Sequence, residues 1–229
     1  MQRIKDAGGH AKHYPVIKIC DVDDANRQLA IINKLSDFDL AIFISPTAVQ
    51  QTLSKVKSLP TGLTLVVIGR STEAMLNNHG LQADIVPADF HTESLLRHPA
   101  LQQEKINGQS VVIFRGKGGR ELLGKTLSER GASVSYAEMY QRIKNSINSL
   151  SHNELNSIDM LTVTSNEGLQ NLYDLTNDKS LLTTRPIIVP SRRARALANR
   201  LGFGTIIQSE NATDDACMQA LALYWSTKA

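Results

Sequence analysis

Short apolar runs rich in β-branched residues alternate along the chain with segments whose apolar positions recur every three to four residues. Five runs stand out: LAIFIS (Leu40–Ser45), LTLVVIG (Leu63–Gly69), VVIFRG (Val111–Gly116), MLTVTS (Met160–Ser165) and PIIVPS (Pro186–Ser191). Each is followed by a polar or Gly/Pro turn and then a helical pattern. Strands buried on both faces read as continuous apolar stretches, because neither face meets water. Their alternation with amphipathic helices predicts an α/β fold, with a parallel sheet covered on both sides.

Two of these units recur. FDLAIFISPTAVQQTL matches IDMLTVTSNEGLQNLYDL, and LVVIGRSTEAMLNNHGL matches PIIVPSRRARALANRLGF. Ser165 stands 120 residues after Ser45 and Gly202 stands 122 after Gly80, and similar shifts for successive units predict an internal duplication. RGASVSYAEMY likewise matches GGHAKHYPVIK, but the partner of Val111–Leu122 would fall before Met1. The chain is therefore expected to begin inside a helix, short of one strand and its turn. Three strand–helix units per half predict two doubly wound, flavodoxin-like domains. Extended segments at Pro15–Asp24 and Tyr140–Ser149 are the expected crossovers. Residues 1–18 are then a remnant of the first domain, 19–143 an inserted second domain, and 144–229 the remainder of the first.

Composition narrows the functions. With 41% hydrophobic and 21% charged residues the 229-residue chain is ordinary for a globular protein, and no apolar run approaches the ~18 residues of a membrane span. The N-terminus lacks the apolar stretch of a secretory signal. Cys20 and Cys217 form no framework, which points to free thiols in a reducing cytoplasm. A net charge of +3 is too diffuse for nucleic acid, and 5% aromatics are too few to stack bases, but a mildly basic chain suits a small polyanion.

The strand ends carry the candidate chemistry. Their turns read Ser45-Pro46-Thr47, Gly69-Arg70-Ser71-Thr72, Arg115-Gly116-Lys117-Gly118-Gly119-Arg120, Ser165-Asn166-Glu167-Gly168 and Pro190-Ser191-Arg192-Arg193. Each precedes a helix, so backbone N–H groups and the positive end of the helix dipole point at whatever binds there. Two readings stand: the hydroxyls cap helices, or the turns bind several carboxylates or phosphates. The third turn is no nucleotide loop, since GKGGRE fits neither GxxxxGK[ST] nor GxGxxG. None of the six histidines makes an HxxxH or HExxH pair, so no metal is expected, and no nucleophile elbow occurs. An enzyme built this way works mainly by holding and orienting its substrate.

FDLAIFISPTAVQ, VVIGRSTEAMLNNHG, VVIFRGKGGRELLGKTLSERGASVSYAEMYQR, LTVTSNEGLQNL and VPSRRARALANRLGF, in that order, resemble the uroporphyrinogen-III synthase family across the whole chain. The resemblance implies two α/β domains joined by a two-stranded linker, with the active site in the cleft between them. It implies a lyase of the cytoplasmic tetrapyrrole and heme pathway, without cofactor. The substrate is hydroxymethylbilane, a linear tetrapyrrole with eight carboxylates, closed to a ring with inversion of ring D. Tyr140 matches the family's tyrosine and is the expected catalytic residue, with packing between domains as its bland alternative. Ser45, Arg70, Thr72, Arg115, Gly116, Lys117, Ser165, Asn166 and Ser191 are the expected substrate-binding residues. A monomer is expected, without nucleic-acid or membrane partner, and with a transient hand-off from hydroxymethylbilane synthase. VPSRRARAL departs from many relatives at Pro190 and Arg193, which leaves the contacts there open. The competing readings are a non-catalytic two-lobe binder of a small polyanion, an N-terminally truncated inactive synthase, and a flavodoxin-like cofactor carrier. The last is disfavoured by the lack of an aromatic sandwich.

Overall fold

The computed structural model describes residues 1–89, 91–146 and 149–227. The strands are β1 (Ile17–Cys20), β2 (Leu40–Phe43), β3 (Thr64–Val67), β4 (Ser110–Gly116), β5 (Ser133–Lys144), β6 (Leu161–Thr162), β7 (Ile187–Val189) and β8 (Ile206–Gln208). The helices are α1 (Gln2–Asp6), α2 (Ala25–Ile32), α3 (Pro46–Leu53), α4 (Arg70–Asn78), α5 (Thr92–Leu96), α6 (Gln103–Ile106), α7 (Leu122–Glu129), α8 (His152–Asn156), α9 (Asn166–Leu175), α10 (Lys179–Thr184), α11 (Arg192–Arg200) and α12 (Asp214–Ser226). Strands alternate with helices, so the class is α/β. The expected extended segment at Tyr140–Ser149 includes residues 147 and 148, which lie outside the described residues. Among the described residues no helix is long and apolar enough to cross a membrane.

The chain divides into two compact units, Ile19–Arg142 and Met1–Lys18 with Ile143–Ala229. The Ile19–Arg142 unit is built on a sheet in the order β1-β5-β4-β2-β3, in which β5 with β4, β4 with β2 and β2 with β3 are parallel pairs. Side chains alternate across such a sheet with period two, and the sequence uses both faces. Ala41, Phe43, Val67, Val112, Phe114 and Met139 join a core beneath α2, α3 and α4. Leu40, Ile42, Val66, Val111 and Ile113 join a second core beneath α5, α6 and α7. That is why β2 is buried at all four positions and reads as an unbroken apolar run. Phe43 and Phe114, paired in register, stack with ring centroids 4.8 Å apart. Asp39 and Asp84, just outside strands, close the ladder: their carboxylates accept from the Ser110 and Leu65 N–H groups at 2.7 Å.

The other unit carries the parallel sheet β6-β7-β8. Its core gathers Leu161, Ile187 and Val189 with residues of α8 to α11, while α12 packs on β7 and β8. β6 is shorter than the Met160–Ser165 run, because Ser165 has already turned to cap α9. The Val163 N–H still reaches the Ile188 carbonyl at 3.1 Å. Arg3 of α1 pairs with Asp215 of α12. α12 ends in Tyr224 and Trp225, whose rings meet edge to face at 5.4 Å, with Trp225 45% exposed.

Two surface carboxylates in this unit give it an acid limit. The Lys12 ammonium, with the Ser151 N–H and hydroxyl, holds the Glu154 carboxyl down to about 2. The Leu181 N–H, with His152 and Ser180, holds Asp178 down to about 2. A carboxyl depressed on folding stabilises fully above its ordinary range, near 4.5 for Glu154 and 3.8 for Asp178, and that stabilisation is lost as pH falls toward 2. The urea midpoint is expected to fall between pH 5 and pH 2.5, and less so in Glu154→Gln with Asp178→Asn. An equal fall in the double variant would assign the acid sensitivity elsewhere.

Candidate active site

Parallel sheets present ligands at the carboxyl ends of their strands. In the Ile19–Arg142 unit those ends bring together Ser45 after β2, the Arg115–Arg120 turn after β4, and Tyr140 on β5. The pairing of β4 with β5 runs Arg115↔Glu138 and then Gly116↔Tyr140, so Met139 is passed over. Such a bulge re-aims the side chains that follow it. Tyr140 is 5% exposed, and its phenol oxygen lies 3.0 Å from Ser45 Oγ. The phenol end of the ring lies against Gly116, where an added Cβ would stand 2.8 Å from Cε2 and Cζ. Glycine at 116 is therefore a requirement of close approach. Ser45 is also the N-cap of α3, its Oγ accepting from the Ala48 N–H at 3.1 Å.

The basic turn divides between protein and solvent. Arg115 points inward, with its side chain 7% exposed. Its guanidinium stands 4.1 Å over the Tyr136 ring and donates to Glu138 at 3.3 Å and to the Gly119 carbonyl at 3.4 Å. Nε has no partner. Lys117 is exposed, its ammonium 2.8 Å from the Asp23 carboxylate. Asp23 also accepts from Gln141 at 3.0 Å. The ion pair holds Asp23 below the ordinary carboxylate range and Lys117 above the ordinary ammonium range. Arg70 opens α4 on the surface, while Thr72, one turn in, is 2% exposed. In this structure Thr72 packs rather than faces solvent.

In the other unit Ser165 and Ser191 sit at the ends of β6 and β7 and cap α9 and α11, accepting from Gly168 N–H at 2.9 Å and Ala194 N–H at 3.2 Å. Asn166 opens α9, half-buried. The capping reading of the strand-end serines thus holds for all three. It leaves their hydroxyl hydrogens able to donate to a carboxylate. Sequence reasoning missed Glu138, Asp23 and Tyr136. The period-two spacing of Tyr136 and Glu138 was the available signal, whereas Tyr140, past the bulge, packs on the other face.

Comparison with known proteins agrees along the length of the chain. The family model described as uroporphyrinogen-III synthase HemD matches residues 1–219. A uroporphyrinogen-III synthase of Escherichia coli (strain K12) is 32% identical over 233 residues, covering 96% of this chain and 94% of that protein. One of Salmonella typhimurium (strain LT2) is 33% identical over 237 residues, with the same coverage of 96% and 94%. Among solved structures, the uroporphyrinogen-III synthetase of Helicobacter pylori 26695 superposes with TM-score 0.62 at 15% identity, over 94% of this chain and 96% of that one. A mutant uroporphyrinogen III synthase of the extremely thermophilic bacterium Thermus thermophilus superposes with TM-score 0.57 at 19% identity, over 96% and 92%. The structural likeness establishes the fold, and the sequence relatives the family.

Proposed function

The chain belongs to the uroporphyrinogen-III synthase family, and we propose that it is a carbon–oxygen lyase closing hydroxymethylbilane to uroporphyrinogen III with inversion of ring D. Loss of the ring A hydroxyl as water leaves an azafulvene cation. The substituted carbon of ring D attacks it, and the resulting spiro intermediate fragments and recloses. The electron-rich pyrroles drive ionisation, so the protein's main task is to hold the bilane in the conformation that leads to inversion.

Tyr140 is the proposed catalytic residue, and its hydrogen bond with Ser45 is the observation that carries the reading. Ser45 Oγ already accepts from the Ala48 N–H, so its own hydrogen can go to the phenol oxygen. The phenol hydrogen is then available to the departing hydroxyl, whose loss it assists. Gly116 gives the ring its seat. Lys117, Arg70 and Ser45 are the proposed carboxylate partners in this unit. Ser165, Asn166 and Ser191 are proposed for the same task in theirs. The active species in this reading is a cytoplasmic monomer, in keeping with two free thiols, and it takes its labile substrate from hydroxymethylbilane synthase by transient hand-off.

The test is to supply freshly generated hydroxymethylbilane, oxidise the products and measure type III against type I uroporphyrin. An excess of type III over the protein-free control is expected. Type I alone would overturn the assignment of activity to this chain.

A further inference from the structure

Arg115 has the residue type and position of a substrate ligand, yet its geometry assigns it another task. We infer that Glu138 is a positioning residue that templates the basic turn through Arg115, so that Arg115 shapes the turn and is not itself a carboxylate ligand. The inference deepens the proposed function and rests on it only for the nature of the ligand.

Glu138 stands opposite Arg115 in the regular register of β4 and β5, as the last pair before the bulge at Met139. One of its oxygens accepts from Arg115 Nη2 at 3.3 Å and from the Gly118 N–H at 3.4 Å. From the same guanidinium, Nη1 reaches the Gly119 carbonyl at 3.4 Å and the Arg120 carbonyl at 3.5 Å. Glu138 and Arg115 together thus contact three successive residues of the turn, Gly118 to Arg120. Each contact is long, so none alone fixes the backbone. A planar fork with five donors, seated on the Tyr136 ring, fixes it by number and direction. Gly118 takes φ +77°, a conformation glycine adopts without strain, so the backbone can bend here toward the Glu138 carboxylate. At the turn's start the Lys117 N–H is held by the Tyr140 carbonyl at 2.8 Å. The proposed catalytic tyrosine and the proposed anion-binding turn are therefore set by neighbouring residues of one strand.

The two roles of Arg115 predict opposite results when Glu138 loses its charge. If Arg115 bound substrate, Glu138 would be its competitor, and Glu138→Gln would lower KM. If Glu138 templates the turn, Glu138→Gln raises KM, by roughly tenfold for a charged hydrogen bond replaced with a neutral one, while kcat stays within about threefold. Glu138→Ala, which also removes the acceptor for Gly118, is expected to raise KM further. Assays well below the melting temperature of each variant separate this from simple unfolding, which lowers the active fraction and leaves KM alone. A second readout needs no substrate. Amide hydrogen exchange over Lys117–Arg120 is expected to quicken in Glu138→Gln, with exchange in β2 and β3 unchanged. A lowered KM, or exchange in the turn equal to that of the parent protein, would overturn the inference. Failure of the parent protein to make type III product would instead strike the proposed function and leave the exchange result to decide the template.

Discussion

Tyr140→Phe is expected to lower turnover roughly 10²-fold, the low end of what a positioned proton donor contributes, with KM little changed. The substitution keeps the ring against Gly116 and the core beneath it. It removes only the phenol oxygen, and with it the bond to Ser45, whose loss costs about 0.5–1.5 kcal/mol of stability. The two consequences are read separately, by single-turnover kinetics at saturating bilane and by urea unfolding. A drop in stability with turnover intact would make Tyr140 a packing aromatic and move the catalytic assistance elsewhere.

Gly116→Ala should reach the same site from the other side. The new methyl would stand 2.8 Å from two ring carbons of a tyrosine that is 5% exposed. The ring cannot swing away freely, because it is packed among Ala137, Met139 and the rest of that core. Overpacking of this kind costs about 1–3 kcal/mol. The displaced phenol leaves Ser45, so turnover is expected to fall toward that of Tyr140→Phe. Combining the two substitutions should add little further loss in turnover, since both act on one hydroxyl. A Gly116→Ala variant with parental turnover would show that the phenol need not be held where it stands.

The inner strands of the Ile19–Arg142 unit were legible because they are buried on both faces, so Leu40–Phe43 and Val111–Phe114 carry no polar interruption. Isoleucines 206 and 207 of β8 are only half-buried, and their short run lacked that signature. The strand-end serines were legible as positions but not as partners. Nothing in LAIFIS says that Ser45 meets a tyrosine 95 residues away. Arg115 was the harder case. An arginine at a strand end before glycines reads as an exposed cation. Its burial depends on Glu138 and Tyr136 facing it from β5, through a pairing of β4 with β5 that leaves no local mark in the sequence. Register between distant strands is a tertiary property, and here it decides whether a charge faces ligand or protein.

The placement of Trp225 has a consequence for anyone following this protein by its optical signals. It is the chain's one tryptophan, it lies on α12, and it is already 45% exposed in the folded state. Its emission will shift little on denaturation and will report only the helix that carries it. Loss of order around Tyr140 would pass unseen by that probe. Near-ultraviolet circular dichroism, drawing on Tyr136 and Tyr140 in their asymmetric surroundings, would register it. Two melts that coincide would mark the chain as a single cooperative unit, and two that separate would put a different temperature on each half.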